Sequence, residues 1–290
     1  MTRHLLFTFA TFGGLFLLAA PAGAQGLLWS LPPDGTWVRY YGEYKNVQER
    51  PESNEGALEL TWLSELTIKS VGTEMADVKG QSTRCRWIEF KLVKGYQSAE
   101  GIKPGPYGAW IYKVLIPENR VIGKTEDADH IPVTFIPVVK GFRKLGEREA
   151  TPVTEKVLAV YPLLAPLANY KKLVPDGGAS DLELKQLGTV SAQLNTGELK
   201  LESSISRSVN KGEMWLSQDV PFGMAKFHVS LIREEKDSTA PKADFKRSAE
   251  IDVKMEVVEK GTAAQSELGD TAAPAAEKAP KAEAEPATTE

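Results

Sequence analysis

The sequence predicts a mainly β protein with a minor helical part (α+β), a curved antiparallel half-barrel sheet wrapped over one or two short helices. Three observations carry this expectation. Residues 58–69, 84–94 and 225–231 alternate apolar and polar side chains with period two, the pattern of strands with one packed and one wet face. A single apolar interlude, residues 154–173, has helical spacing instead. Clusters of Gly, Pro and Asp separate these runs, as at Pro104-Gly105-Pro106 and Pro175-Asp176-Gly177-Gly178.

Both ends of the chain read differently from its body. Arg3 and His4 precede the apolar run of residues 5–20, and Pro21-Ala22-Gly23-Ala24 supplies small residues before Gln25. This is the layout of a secretory signal cleaved after Ala24, so residues 1–24 are expected to be a signal peptide and the mature chain to be periplasmic or secreted. The competing reading is a retained anchor, but the run is short for a span of about 20 apolar residues. No cysteine stands directly after the cleavage site, which argues against a lipid anchor. At the other end, residues 261–290 are rich in Ala, Glu, Pro, Lys and Thr and contain one leucine. Too little apolar surface is present to offset ordering entropy, and a disordered tail is expected there. The tail holds six acids against Lys278 and Lys281, a net −4 that equals the formal charge of the whole 290-residue chain. The body, residues 25–260, is therefore near neutral and lacks the basic excess of a nucleic-acid surface. It is long enough for one domain with its own core. Cys85 is the sole cysteine, so the body has neither an internal disulfide nor a cysteine metal cage.

Within the body, Asp34-Gly35 opens a first strand at 37–46, with Val38, Tyr40 and Tyr44 on one face. Leu58, Leu60, Trp62, Leu66 and Ile68 then face inward against Glu59, Thr61, Glu65, Thr67 and Lys69. Residues 84–94 repeat the pattern, with Ile88, Phe90 and Leu92 inward and Trp87, Glu89 and Lys91 outward. Residues 110–116 form another strand, and Pro132 and Pro137 demote 131–139 to an edge or irregular piece. The helix candidate carries Val157, Val160, Tyr161, Leu164 and Leu167, kinked by Pro162 and Pro166. Strands at 189–194 and 199–209 are joined by a hairpin-like Asn195-Thr196-Gly197. Residues 214–232 turn at Val220-Pro221-Phe222-Gly223, where Pro221 removes a ladder donor and Gly223 tolerates unusual backbone angles. Residues 248–258 close the sheet.

Few residues offer chemistry. The serine-hydrolase, zinc-protease and dinucleotide glycine motifs are absent, and Gly123-Lys124-Thr125 lacks the opening glycine of a phosphate loop because Glu118 stands there. Glu126, Asp127, Asp129 and His130 form the one dense group of oxygen and nitrogen ligands, read either as a solvated loop or as a metal-using enzyme site. Cys85 would need His130 or His228 as a partner to act as a nucleophile and reads instead as a packed or half-exposed thiol, and His228 reads as a surface histidine. Strict alternation through 199–209 turns Arg207 inward with Leu199, Leu201 and Ile205. There it either anchors the acidic head of a lipid-like ligand or snorkels to water at the strand end.

Residues 215–226, Trp-Leu-Ser-Gln-Asp-Val-Pro-Phe-Gly-Met-Ala-Lys, resemble the Trp-x-Ser-x-x-Val-Pro-x-Gly-x-x-Lys strand turn of secreted half-barrel proteins related to the lipoprotein-carrier (LolA/LolB-like) superfamily. The opening Leu31-Pro32-Pro33-Asp34-Gly35-Thr36-Trp37-Val38, followed by Tyr40 and Gly42, is similar to secreted proteins of planctomycete-type bacteria. The first resemblance implies an open antiparallel sheet curled around helices, with a concave apolar face that holds acyl chains in the carriers. The proline-rich segment 132–166 is longer than the carrier pattern and is a candidate to fill that cavity. The expected function is non-enzymatic binding of a hydrophobic ligand or a lipoprotein partner, without a cofactor or a membrane span after signal cleavage. Leu60, Trp62, Leu66, Arg207, Phe227 and Val229 are the expected concave-face residues. The alternative is a structural or interaction protein whose sheet is plugged by its own chain, with Trp29, Trp37 and Trp110 serving partner contacts.

Overall fold

Alternation is what builds this molecule. The computed structural model describes residues 26–99, 101–121, 130, 134–170 and 172–269. In chain order its strands are β1 (Trp37–Gln48), β2 (Leu58–Val78), β3 (Gln81–Ser98), β4 (Gly101–Pro104), β5 (Trp110–Pro117), β6 (Phe135–Pro137), β7 (Lys140–Leu145) and β8 (Thr151–Pro152). They continue with β9 (Val157–Ala159), β10 (Leu173–Pro175), β11 (Ser180–Leu184), β12 (Gly188–Glu202), β13 (Ser206–Leu216), β14 (Met224–Glu235) and β15 (Lys246–Gly261). All but β6 and β9 belong to one antiparallel sheet that does not close into a barrel, ordered β10-β12-β13-β14-β15-β1-β2-β3-β5-β7-β8, with β11 on β12 and β4 on β3. Three short 3-10 turns, at 118–120, 221–223 and 242–244, are the helical part among the described residues.

The register carries the inward set across the sheet. Val38 faces Ile68 and Tyr40 faces Leu66. Leu66 faces Leu92 and Ile68 faces Phe90. On the other half, Phe227 faces Met255 and Val229 faces Val253. These side chains are buried and join one core cluster. Because side chains alternate with period two, a one-residue slip would turn this whole set to solvent. β2 runs nine residues past Lys69, through a bulge between Ser70 and Thr73, to a Lys79-Gly80 turn with both φ values positive. That is the backbone geometry of a two-residue hairpin whose twist matches its strands.

The sheet order forces a crossover. The first meander ends at β8 on one edge, the second begins at β10 on the other, and β15 returns to pair with β1 in the middle. The chain between β8 and β10 must therefore traverse the sheet, and the apolar side chains of its described residues select the apolar face. Leu158, Val160, Leu164, Leu167 and Tyr170 are all buried in the same core as Phe90 and Phe227.

This segment is not the helix its spacing suggests. It contains β9, paired with β6, and then one turn in which Leu164 N–H donates to Val160 O at 2.9 Å. Pro162 and Pro166 supply no N–H, so the ladder cannot propagate. The expected turn at Asn195-Thr196-Gly197 is also absent, because β12 runs straight through it. Gly197 and Gly212 are cross-strand partners. A Cβ on them would lie 2.6 and 2.3 Å from Tyr170 atoms, so the glycines make a seat for that ring. The real reversal is at Ser203–Ser206, where Ser206 O accepts from Ser203 N–H at 2.7 Å.

At the Pro221 corner, Phe222 adopts φ 63 with its ring fully buried, and Trp29 N–H donates to Phe222 O at 2.8 Å. Trp29 and Ser30 are thereby bound to the corner.

Residues 262–269, which the sequence assigns to the tail, lie against the outer face of β2 and β3. Ser266 Oγ donates to Glu89 at 2.7 Å, Glu267 N–H donates to both Glu89 oxygens at 3.1 Å, and Lys69 and Lys91 each reach Glu267 at 2.7 Å. Leu268, the tail's single leucine, is buried, and Glu89 is fully covered although it points outward as expected. Residues 1–25 and 270–290 lie outside the described residues.

Candidate ligand site at the open end of the concave face

β2 and β3 extend beyond the edge of the crossover, and the inward alternation continues there under less cover from the described residues. On β3 the series Ile88, Phe90 and Leu92 is followed by Lys94. On β2 the series Ile68 and Leu66 is preceded by Ser64 and Trp62. On β1 it reaches Tyr44, which pairs with Trp62 and stacks on it with ring centroids 4.5 Å apart and planes 9° from parallel. The loop after β4 and the first residue of β5 add Tyr107 and Trp110. Together they enclose a cleft of about 330 Å³, lined chiefly by Trp62, Leu92, Lys94, Tyr96, Tyr107 and Trp110. Its volume lies at the lower end of the range of small-molecule sites, about 300–1,000 Å³.

Lys94 and Leu92 also wall a second cavity, of about 130 Å³, that runs under Tyr161, Pro162 and Leu164 to Arg233 on β14. Among the described residues, neither space has an acidic side chain in its wall. Lys94 Nζ sits 5.3 Å from the Tyr44 ring centroid, its sole partner among the described residues. Burial disfavours the ammonium and lowers its pKa from the usual lysine value. Trp62 Nε1 and Ser64 Oγ, next to it on β2, are buried without a hydrogen-bond partner among the described residues.

The expected concave-face residues divide three ways. Leu66, Phe227 and Val229 are fully buried beneath the crossover. Trp62 is half-buried in the cleft, and Leu60, nearer the strand start, is half-buried outside it. Arg207 is on the opposite face. The Ser203–Ser206 reversal inverts the parity, so β13 turns Ser208, Asn210, Gly212 and Met214 inward and Arg207 outward. There Arg207 grips Glu234 through Nε at 2.5 Å and Nη2 at 3.1 Å and lies 4.7 Å over the Phe245 ring.

Lys94 was within reach of the sequence, since extending the alternation two residues past Leu92 turns it inward. Trp29, by contrast, is buried beside Gly223, and Trp37 packs on Gly261. Of the proposed partner-contact tryptophans, Trp110 is the one that reaches the cleft.

Other candidate chemistry is dispersed. Cys85 is buried, which raises its thiol pKa. His228 lies on the outer face between Glu213 at 3.1 Å and Asp252 at 2.6 Å. Burial pushes Asp252 up, but hydrogen bonds from His228 and Lys254 outweigh it and hold the carboxyl low. Glu126, Asp127 and Asp129 lie outside the described residues, and His130 is exposed. Among the described residues no group of three His, Cys, Asp or Glu is placed to hold a metal, and no helix is long and apolar enough to cross a membrane. No family model matches the chain, and no curated protein is significantly similar to it.

Proposed function

We propose that this protein is an exported, non-catalytic binder of a hydrophobic ligand or of a lipid-modified partner, and that it binds in the cleft beside Lys94 rather than across the whole concave face. The observation that supports this is the cleft itself, about 330 Å³ walled by Trp62, Leu92, Tyr96, Tyr107 and Trp110. Aromatic walls offer much apolar contact at small conformational cost, and the space is already formed. The resemblance to lipoprotein carriers points the same way.

One observation favours the other reading, a self-plugged interaction protein: residues 160–170 fill the centre of the concavity. Titrating the full mature chain with a fluorescent acyl probe separates the two. Saturable binding that weakens several-fold in Trp110→Ala is the expected result. A native protein that binds no probe, and carries no lipid in native mass spectrometry, would sink the carrier reading and leave the plug.

A further inference from the structure

We infer that the ligand is an amphiphile with one anionic head, a carboxylate or a phosphate monoester, seated at Lys94 with its apolar part between Trp62 and Trp110. This rests on the binding role proposed above and adds the chemistry of the occupant.

Other enclosed cations of this chain have an oxygen partner, as buried Lys113 has in Gly269 O. Arg39, Lys45, Lys69, Arg86 and Arg207 each face a carboxylate at 3.5 Å or less. Lys94 is more enclosed than most of these and faces none. A half-buried ammonium over an aromatic ring keeps part of its desolvation cost, and a carboxylate or phosphate oxygen is the partner that offsets it. The lowered Lys94 pKa is the same cost seen in its titration. Among the described residues the cleft wall holds Lys94 with apolar and aromatic residues and no acid, and the adjoining cavity adds Arg233. This arrangement disfavours a cationic ligand and leaves a neutral one without a partner for Lys94. Trp62 Nε1 and Ser64 Oγ, buried and without a hydrogen-bond partner among the described residues, stand on the strand paired with that of the lysine.

Size limits the remainder. At about 30 Å³ for each water-sized unit, the cleft of about 330 Å³ takes roughly eleven heavy atoms. A single dodecyl chain places most of its carbons in this space and the rest at the open mouth beside Tyr96 and Tyr107, whereas a two-chain lipid is far larger than the cleft.

The test is calorimetric titration of the full mature chain, below micelle-forming concentrations, with dodecanoate, dodecyl phosphate, dodecanol and dodecyltrimethylammonium. Expected is at least tenfold tighter binding of one or both anions than of the alcohol, with the cation weakest. Preference for dodecanoate assigns a carboxylate head, and preference for dodecyl phosphate a phosphate. In Lys94→Met the ratio of anion to alcohol affinity should fall to about one. This variant should stay folded, because it removes a charge that burial penalises. Arg207→Ala, on the opposite face, should keep the parent ratio. If all four chains bind equally to the parent, or if Lys94→Met keeps the anion preference, the head assignment is wrong while the cleft survives as a binding site. If none of the four binds, the cleft reading fails as well.

Discussion

The centre of the concave face and its open end are made from the same strands in the same register, yet they have opposite properties. At the centre, Leu66, Ile68, Phe90, Phe227 and Val229 have no exposure and Tyr170 is seated on a glycine pair. At the end, Tyr96 and Tyr107 are 64% and 76% exposed, and Lys94 has no counter-ion among the described residues. The difference is whether the crossover covers the strands. A chain that must pass from β8 to β10 fills the middle of the sheet and stops short of the ends of β2 and β3. One sheet thus contains a stabilising region and a receptive one, and mutations should separate them.

The largest effect should come from the centre. Phe227→Ala removes a fully buried ring between Met214 and Met255 and should cost about 3–5 kcal/mol in chemical denaturation. Tyr107→Ala, at the exposed rim of the cleft, should change stability by less than about 0.5 kcal/mol while weakening acyl-probe binding several-fold. A Phe227→Ala variant that is nearly as stable as the parent would mean the centre is not packed, and the contrast between the two regions would be lost.

An intermediate effect should come from the seat of the crossover. Tyr170 Oη donates to Asn210 Oδ1 at 2.7 Å, and Asn210 Nδ2 donates to Pro166 O at 3.2 Å. Tyr170→Phe leaves the buried amide oxygen without that donor and should cost about 1–3 kcal/mol. If the crossover is a fixed plug, acyl-probe affinity should stay at the parent value in this variant. A gain in probe affinity or stoichiometry would instead show that the crossover is a displaceable lid and that the centre also admits ligand.

Legibility in the sequence followed the range of the physics. Leu66 with Ile68, and Phe227 with Val229, were placed correctly because one-sided burial leaves a period-two trace over a few neighbouring residues. The reversal at Ser203–Ser206 left no such trace. It contains no Gly, Pro or Asn, while Gly197 mimicked a turn for a reason that lies in Tyr170, 27 positions upstream. That displaced turn alone carried Arg207 to the wrong face. Residues 154–173 misled because an apolar run broken by prolines fits a helix and an irregular crossover equally, and the sheet order decides between them. Alternation points Glu89 outward, as found, but its complete burial depends on Ser266, 177 residues away. Lys94 needed no such distant information, only the alternation carried one step further.

The smallest effect should be at Arg207, and it sharpens the comparison because sequence alone placed this residue in the concavity. Its side chain is partly exposed on the outer face, forked onto Glu234 and stacked over Phe245. The hydrogen bonds from Arg207 hold the Glu234 carboxyl below its ordinary range, with a weaker opposing push from burial. A group with a depressed folded-state pKa contributes stability above its unfolded pKa and loses it as pH falls through the folded value. Arg207→Ala should therefore lower the melting midpoint slightly at neutral pH, and the difference from the parent should shrink as acid protonates Glu234. High salt should shrink it too, since the Debye length falls from about 8 Å at physiological ionic strength to about 3 Å at 1 M. Dodecanoate affinity should not change at any salt concentration, because the guanidinium and the cleft lie on opposite faces of the sheet. A tenfold loss of dodecanoate binding in Arg207→Ala, with the melting midpoint unmoved, would put the anion on the outer face and remove Lys94 from its role.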